Sequence, residues 1–572
     1  MKKPSVIRYL ELNIGSNSGS VERFTPSRIK TDIELEILRV LYRVKKDKKI
    51  KGVLVNTSGF QGDRSFLWEL QHALQNCKNS GKKVVGYFDN ADLDIYNLLS
   101  VSDKIIMDSS AVLSFLGYSW ARVFAKKTLE KLGIGFRELR YMNYKSAAET
   151  FSRTSMSKAD REQYGQYLDN IFEYTKNTII KNRSLNNKTI NDEDFNALLK
   201  EGFVLSAAQA KEKNLIDDLG RCEAIQKTIK ALEFGVTGDE PCESKKTLGE
   251  IIFIPAGNPG CSLFSTSRKA HVYSPGRSKF TKREIAVVHA KGNTDLDQGM
   301  DARTIAKTIR MLAEKPKVKA LIVRINSPGG SAVAADHISE AILKVKEQLP
   351  VVVSLAQVAA SGGYWAAMNA SRIVTTPYTL TGSIGVIGSW FFEKGLNTKL
   401  GLGFEALTRG EHADLATGII LPARDLNTKE EAQFKSCILD LYDEFIKKAA
   451  KSRGKTEKDM ETLAQGRVYS GLAAIELGLI DSLGGYLEAL DIAKELAGIP
   501  LNKKVRIREY PKPKFLETLT ARLFSSALAN SQNSAAINLL KAASSQKANQ
   551  ALEDLRYRLS NNGQALPILP LF

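Results

Sequence analysis

The 572 residues are 43% hydrophobic and 25% charged, which is enough apolar material and length for about three or four domain-sized units and excludes a disordered chain. Lysine and arginine (82) outnumber aspartate and glutamate (63), giving a formal net charge of +19. The basic residues are spread along the chain, however, and no aromatic-basic platform accompanies them, so a solvated lysine-rich surface is expected rather than a nucleic-acid partner.

The N-terminus, MKKPSVIRYLELNIGSNSGS, has no apolar run of signal-peptide length, and no segment approaches the roughly 20 apolar residues of a spanning helix. The chain as written is expected to be soluble or peripheral to a membrane. IKGVLVNTSG reads as a strand, SFLWELQHALQNCKNSG as a helix and KKVVGYF as the next strand. Further on, residues 256 to 282 are rich in Gly, Ser, Pro and basic residues, the composition of a linker or exposed loop. VKALIVRIN, the turn SPGGS, the helical AADHISEAILKVKEQ and the strand PVVVSL then repeat the earlier order, with another helix expected near Ser361. Strand, helix, strand in this order predicts an α/β fold, parallel strands joined by right-handed crossovers, with ligands at the carboxyl ends of the strands. After Pro513, Leu516, Leu519, Leu523 and Ala527 recur at helical spacing and predict a packing face. Cys77, Cys222, Cys242, Cys261 and Cys437 show no CxxC spacing and are odd in number, so neither a zinc site nor a complete disulfide set is expected.

The two runs of strand and helix are copies of one another. YNLLSVSDKI from Tyr96 aligns with YWAAMNASRI from Tyr364, 268 residues later; the same spacing pairs Gly117 with Gly385 and LGIGF with LGLGF. FVLSAAQAKEKNLIDDLG and RVYSGLAAIELGLIDSLG close the two copies with a spacing of 264. The expected organisation is an N-terminal repeat over 1–235, a linker or exposed loop over 236–282, a C-terminal repeat over 283–510 and a helical tail over 511–572. At the common spacing Ser361 stands opposite Leu93 and Lys145 opposite Ala413, so each copy keeps one reactive side chain that the other lacks.

Three glycine-rich turns of the second copy carry the chemistry. In NSPGGS, Pro328 presets a turn, and Gly329 and Gly330 let backbone N–H groups approach a ligand closely. In AASGGYW, Ser361 sits where a strand gives way to a helix, so its hydroxyl can be exposed and the Gly362 N–H can join Gly330 in binding an oxyanion. In TGSIG, Ser383 lies one strand and one turn further on, placed to orient a neighbouring amine. Each turn alone also suits a purely structural role, since small residues make tight turns. Of the five histidines (His72, His271, His289, His337 and His412), only His337 and His412 lie near these motifs, which leaves a Ser/His/Asp triad without a natural base. A lysine serves instead when burial lowers its pKa from about 10.4 toward neutrality. Tyr141, Met142, Tyr144, Ala147 and Ala148 around Lys145 offer such burial.

NSPGGS, AASGGYW, LTGSIG and YKSA, in a duplicated chain with the lysine in the first copy and the serine in the second, resemble the signal peptide peptidase A (protease IV) family of bacteria in its long, two-copy form. The resemblance runs from about Val53 to Gly498. It implies tandem crotonase/Clp-protease-like α/β domains, with mostly parallel sheets and flanking helices, and a cofactor-independent serine endopeptidase. By the matching motifs Ser361 is the nucleophile, Lys145 the general base, Ser383 the hydroxyl that positions the lysine, and Gly330 with Gly362 the oxyanion donors. No metal is implied. Members of the family are usually membrane-anchored homotetramers that degrade cleaved signal peptides, which implies membrane association; no anchor is legible in the sequence as written, for which peripheral membrane contact is expected. The partners implied are hydrophobic peptides, bound in extended form along a strand edge, and further copies of the chain. The duplication favours a meeting of lysine and serine within one chain. Two other readings stay open on the residues: a crotonase-type acyl-CoA hydratase or thioesterase, which also uses glycine N–H groups, and a catalytically silent scaffold.

Overall fold

The computed structural model describes residues 6–15, 32–60, 62–185, 190–235, 250–256, 263–264, 273 and 283–511. The first half contributes β1 (Ile7–Asn13), β2 (Gly52–Asn56), β3 (Lys83–Ala91), β4 (Lys104–Ser114), β5 (Ile134–Leu139), β6 (Val204–Ser206), β7 (Asp218–Leu219) and β8 (Ile251–Pro255). The second contributes β9 (Glu284–Lys291), β10 (Val318–Ser327), β11 (Val351–Ala360), β12 (Arg372–Thr375), β13 (Leu380–Gly382), β14 (Gly388–Glu393), β15 (Val468–Ser470), β16 (Ser482–Leu483) and β17 (Arg506–Tyr510). One sheet has the order β6-β4-β3-β2-β1-β8 with β7 beside β4; the other has the order β15-β13-β11-β10-β9-β17, with β12 between β11 and β16. In both, all pairings are parallel except those of the edge strands β6 and β15. The inner strands read as unbroken apolar runs because helices cover both faces. In β10, for example, Leu321, Ile322, Val323 and Ile325 are all fully buried.

The two halves repeat one another down to single hydrogen bonds. Tyr96 donates its hydroxyl to the Leu215 carbonyl at 2.7 Å, and Tyr364 donates to Leu479 at 2.8 Å. The amide of Ile105 is held by the Asp217 carboxylate and that of Ile373 by Asp481. Each aspartate in turn pairs with an arginine of a long helix, Arg183 and Arg453 respectively. The edge strand β8 repeats β17: β8 lies parallel to β1 as β17 lies parallel to β9. Residues 251–255, inside the segment expected to be a linker, therefore belong to the first sheet. The helical stripe expected at Leu516, Leu519, Leu523 and Ala527 lies outside the described residues, as do Cys242 and Cys261; Cys77, Cys222 and Cys437 are free thiols.

The halves share one interior. Leu38, Leu41 and Leu70, on helices of the first half, lie in the same apolar cluster as Ile285, Ile322, Val352 and Val374 of the second sheet. Within this layer Arg324 meets Glu69 at 2.7 Å, with both side chains almost fully buried. The long helix Lys158–Leu185 crosses from the first half onto the second. There Gln163 accepts a hydrogen bond from the Val468 amide, Tyr167 donates to the Tyr378 carbonyl and Asn170 donates to Ser470. A third, two-stranded sheet joins β5 of the first half to β14 of the second, antiparallel, with Phe136 opposite Phe391. These crossings bring the loop between β5 and the long helix, which carries Lys145, onto the second half.

Candidate active site

Ser361 follows β11 and caps the helix Gly362–Ala367 with φ 54° and ψ −119°. A non-glycine residue at positive φ costs on the order of 1–3 kcal/mol and persists where surrounding structure enforces it. The enforcement is visible: the Ser361 amide donates to the Gly382 carbonyl at 2.9 Å, and Ala360 pairs with Gly382 between β11 and β13. The side chain makes no capping hydrogen bond to its own helix, which leaves its hydroxyl available to a substrate. Gly382 is followed by Ser383, itself at φ 50° and tied by its amide to the Arg467 carbonyl at 2.7 Å.

Lys145 comes to this strand pair from the first half. Its Nζ donates to Ser383 Oγ at 2.9 Å and to the Ser383 carbonyl at 2.7 Å. The side chain is 4% exposed, and burial alone lowers its pKa from the ordinary 10.5 to about 7. Desolvation opposes the charged ammonium, and no carboxylate is among the influences that shift it. Met142 and Ala148 are buried as the sequence suggests, but Ala147 is exposed. The closest walls come from the second half. A side chain on Gly466, at φ 78°, would lie 2.5 Å from Lys145 Cβ, and one on Gly385 would lie 3.4 Å from its Cδ.

A polar clamp that the sequence reading missed fixes the lysine's neighbours. Gln163 donates to the Tyr144 carbonyl and to Ser146 Oγ, Ser146 donates to Asp160, and Arg122 spans Asp160 and the carbonyls of Ser146 and Ala147. The Tyr144 amide is held by the Gln465 carbonyl. The only signal for this clamp in the sequence is the spacing of Asp160 and Gln163 on one face of the long helix, which looks like any amphipathic helix.

Gly330 and Gly362 come together beside the serine. Gly330 has φ 141°, open only to glycine, and a side chain on Gly362 would stand 3.3 Å from the Gly330 nitrogen. As a first-turn residue of its helix, Gly362 has no intrahelical acceptor for its N–H. Two glycine amides thus lie close to Ser361, and backbone amides of this kind can receive an oxyanion. His289 is bonded to Glu509 and His412 to Glu430, and among the described residues no histidine is hydrogen-bonded to Ser361. No helix among the described residues is long and apolar enough to cross a membrane.

Known proteins share this arrangement of sequence. The profile of peptidase family S49 matches residues 76–235 and 344–500, one stretch in each copy. The chloroplastic serine protease SPPA of Arabidopsis thaliana is 32% identical over 475 residues, 82% of this chain and 66% of that protein. Protease 4 of Haemophilus influenzae is 29% identical over 485 residues, 82% of this chain and 74% of its own. A ClpP1 variant from Listeria monocytogenes, 15% identical, aligns with 36% of this chain and 95% of its own at a TM-score of 0.25.

Proposed function

The chain belongs to peptidase family S49, a family of serine peptidases, and we propose on that premise that it is an endopeptidase working through a serine/lysine dyad. Ser361 is the nucleophile, Lys145 the general base, Ser383 the hydroxyl that orients the lysine, and Gly330 and Gly362 the oxyanion donors. The observation that carries the reading is the buried Lys145 amine, held near neutrality by desolvation and hydrogen-bonded to Ser383, the neighbour of the residue that anchors Ser361.

Neutral Lys145 takes the Ser361 proton as the oxygen attacks the peptide carbonyl, and the two glycine N–H groups meet the developing oxyanion. The lysine then protonates the leaving amine. It next removes a proton from water, which releases the acyl group and restores the serine. Substrates are hydrophobic peptides such as cleaved signal peptides, bound in extended form against a strand edge. The test is hydrolysis of a leucine-rich signal peptide by wild type, Ser361→Ala and Lys145→Ala, with mass spectrometry of products and enzyme. Loss of about 10⁴-fold or more in both variants is expected; wild-type rates in either would sink the dyad.

The same proposal includes a homo-oligomer, and the repeat suggests how it forms. At the common spacing, the counterpart of β5 in the second half is residues 402–407 and that of β14 in the first is residues 120–125, and neither stretch pairs with a strand among the described residues. Both expose apolar side chains: Leu402, Phe404 and Leu407 on one, Val123 on the other. Likewise the long helix that covers β15 has a counterpart, Thr428–Arg453, with exposed Leu439 and Leu441, while β6 exposes Val204 beside exposed Phe203. A second copy docked head to tail supplies each missing partner, and such docking closes into a ring when the rotation allows. Four copies is the closed form that the resemblance implies. The net charge of +19 suits peripheral contact between such a ring and an anionic lipid surface.

A further inference from the structure

Thr294 stands in the turn after β9, threaded into the glycine loop that holds Gly330. Its amide donates to the Gly329 carbonyl at 2.8 Å and its carbonyl accepts from the Ser331 amide at 2.9 Å. It is 2% exposed, yet its Oγ1 has no hydrogen-bond partner among the described residues. A buried hydroxyl without a partner is costly, and such groups are uncommon in folded proteins unless a ligand completes them. Its position says which ligand atom that is. A side chain built on Gly362 would meet Thr294 Oγ1 at 2.7 Å and the Gly330 nitrogen at 3.3 Å, and one built on Gly330 would meet Oγ1 at 2.9 Å. The hydroxyl therefore packs against the Cα positions of Gly330 and Gly362, close to the Gly330 nitrogen and one residue from Ser361.

We propose that the Thr294 hydroxyl is a third donor to the oxyanion, and so a catalytic residue of the peptidase reaction; this rests on the reading of Ser361 as nucleophile. When Ser361 Oγ bonds to the peptide carbon, the carbonyl electron pair moves onto its oxygen, and Thr294 donates a hydrogen bond to it alongside Gly330 and Gly362. No proton leaves the threonine. When the intermediate collapses, the bond to the leaving amine breaks, that amine takes the proton held by Lys145, and the threonine hydroxyl is again without a partner. A donor of this kind acts on the transition state rather than on substrate binding.

The experiment is steady-state hydrolysis of a leucine-rich peptide p-nitroanilide by wild type, Thr294→Val and Thr294→Ser, with a peptide aldehyde of the same sequence as inhibitor and thermal melts of each protein. Valine keeps the shape and removes the hydroxyl. The expected result is a fall in kcat of about 10²-fold in Thr294→Val at nearly unchanged KM, a similar weakening of the aldehyde, and a Tm no lower than wild type. Thr294→Ser keeps most of the rate. If the valine variant also melts lower, the serine variant decides: wild-type-like kcat supports the proposal, and a loss comparable to valine's overturns it. A kcat within about threefold of wild type in Thr294→Val, or a change confined to KM, overturns it as well. Failure of the underlying dyad is a separate result, undiminished hydrolysis by Ser361→Ala, and is read from that variant alone.

Discussion

Lys145 Nζ lies 2.9 Å from Ser383 Oγ although 238 residues separate them, and the contact joins the first copy of the repeat to the second. The amine is charged below about pH 7 and neutral above it, and only the neutral form can take a proton from Ser361. kcat/KM is therefore expected to rise with pH through about 7 and then level off. Ser383→Ala removes one of the two hydrogen bonds on the amine and is expected to lower kcat by about 10-fold or more and to move that inflection. A flat profile between about pH 5 and pH 9 would remove Lys145 as the base.

The same lysine has a stability cost with a definite sign. Between about pH 7 and 10.5 the folded chain binds fewer protons at Lys145 than the unfolded chain does, so stability rises with pH across that window. Lys145→Met removes the ionisable group while keeping an apolar stem. It is expected to abolish hydrolysis and to raise Tm at neutral pH, with the gain shrinking toward about pH 10. Scanning calorimetry at two pH values measures this; a lower Tm at neutral pH would contradict it.

Gly466 is where the two halves leave no room. Its φ of 78° disfavours any side chain, and a Cβ there would overlap Lys145 Cβ, Cα and N at 2.5 to 2.7 Å. Gly466→Ala must push the lysine off Ser383, and a displacement of an ångström in a reacting group costs about 10²-fold in rate. The expected outcome is a kcat reduced by that order with secondary structure intact by circular dichroism. Unchanged kcat would mean that the loop yields without moving the amine.

Glu69 and Arg324 tie the halves together away from the chemistry, at 2.7 Å and almost out of water. Removing the carboxylate strands a guanidinium in the shared interior, held otherwise by Ser354 Oγ. Glu69→Ala is expected to cost about 3–5 kcal/mol, measured by denaturant unfolding. Because the apolar cluster runs through both halves, the unfolding is expected to stay a single transition.

The layered fold was legible because parallel strands buried on both faces write themselves as apolar runs, as in VKALIVRIN, and because the duplication shows each element twice. The candidate residues were legible for a related reason: Lys145 and Ser361 each face a counterpart that lacks the group. What the sequence does not carry is the packing between distant segments. Ala147 looks like burial for Lys145 but is exposed, whereas the real wall is Gly466, 321 residues away, whose role local spacing cannot express. Thr294 reads as one polar residue among several in a turn, and only its closeness to Gly330 and Gly362 sets it apart. β8 is hidden because a short edge strand amid Gly, Ser and Pro has the composition of a loop.

The unmatched halves of the repeat make the last prediction. Inside the chain, β5 on β14 and the long helix on β15 cover apolar surface, while their counterparts leave Leu407 91% and Val204 50% exposed. Were these merely surface residues, charging them would change neither fold nor mass, since isolated surface substitutions alter stability by about 0.5 kcal/mol or less. If a second copy covers them, Leu407→Asp and Val204→Asp each bury a charge at the boundary and weaken the same ring from opposite sides of the junction. Light scattering after size exclusion is expected to give a larger-than-monomer mass for wild type and a smaller one for each variant, with unchanged circular dichroism. Mixing the two variants should give a dimer and no closed ring, because the intact face of each joins the intact face of the other once, while the junction between their two charged faces stays broken. Wild-type mass in both variants would place the apolar stretches outside any interface between copies.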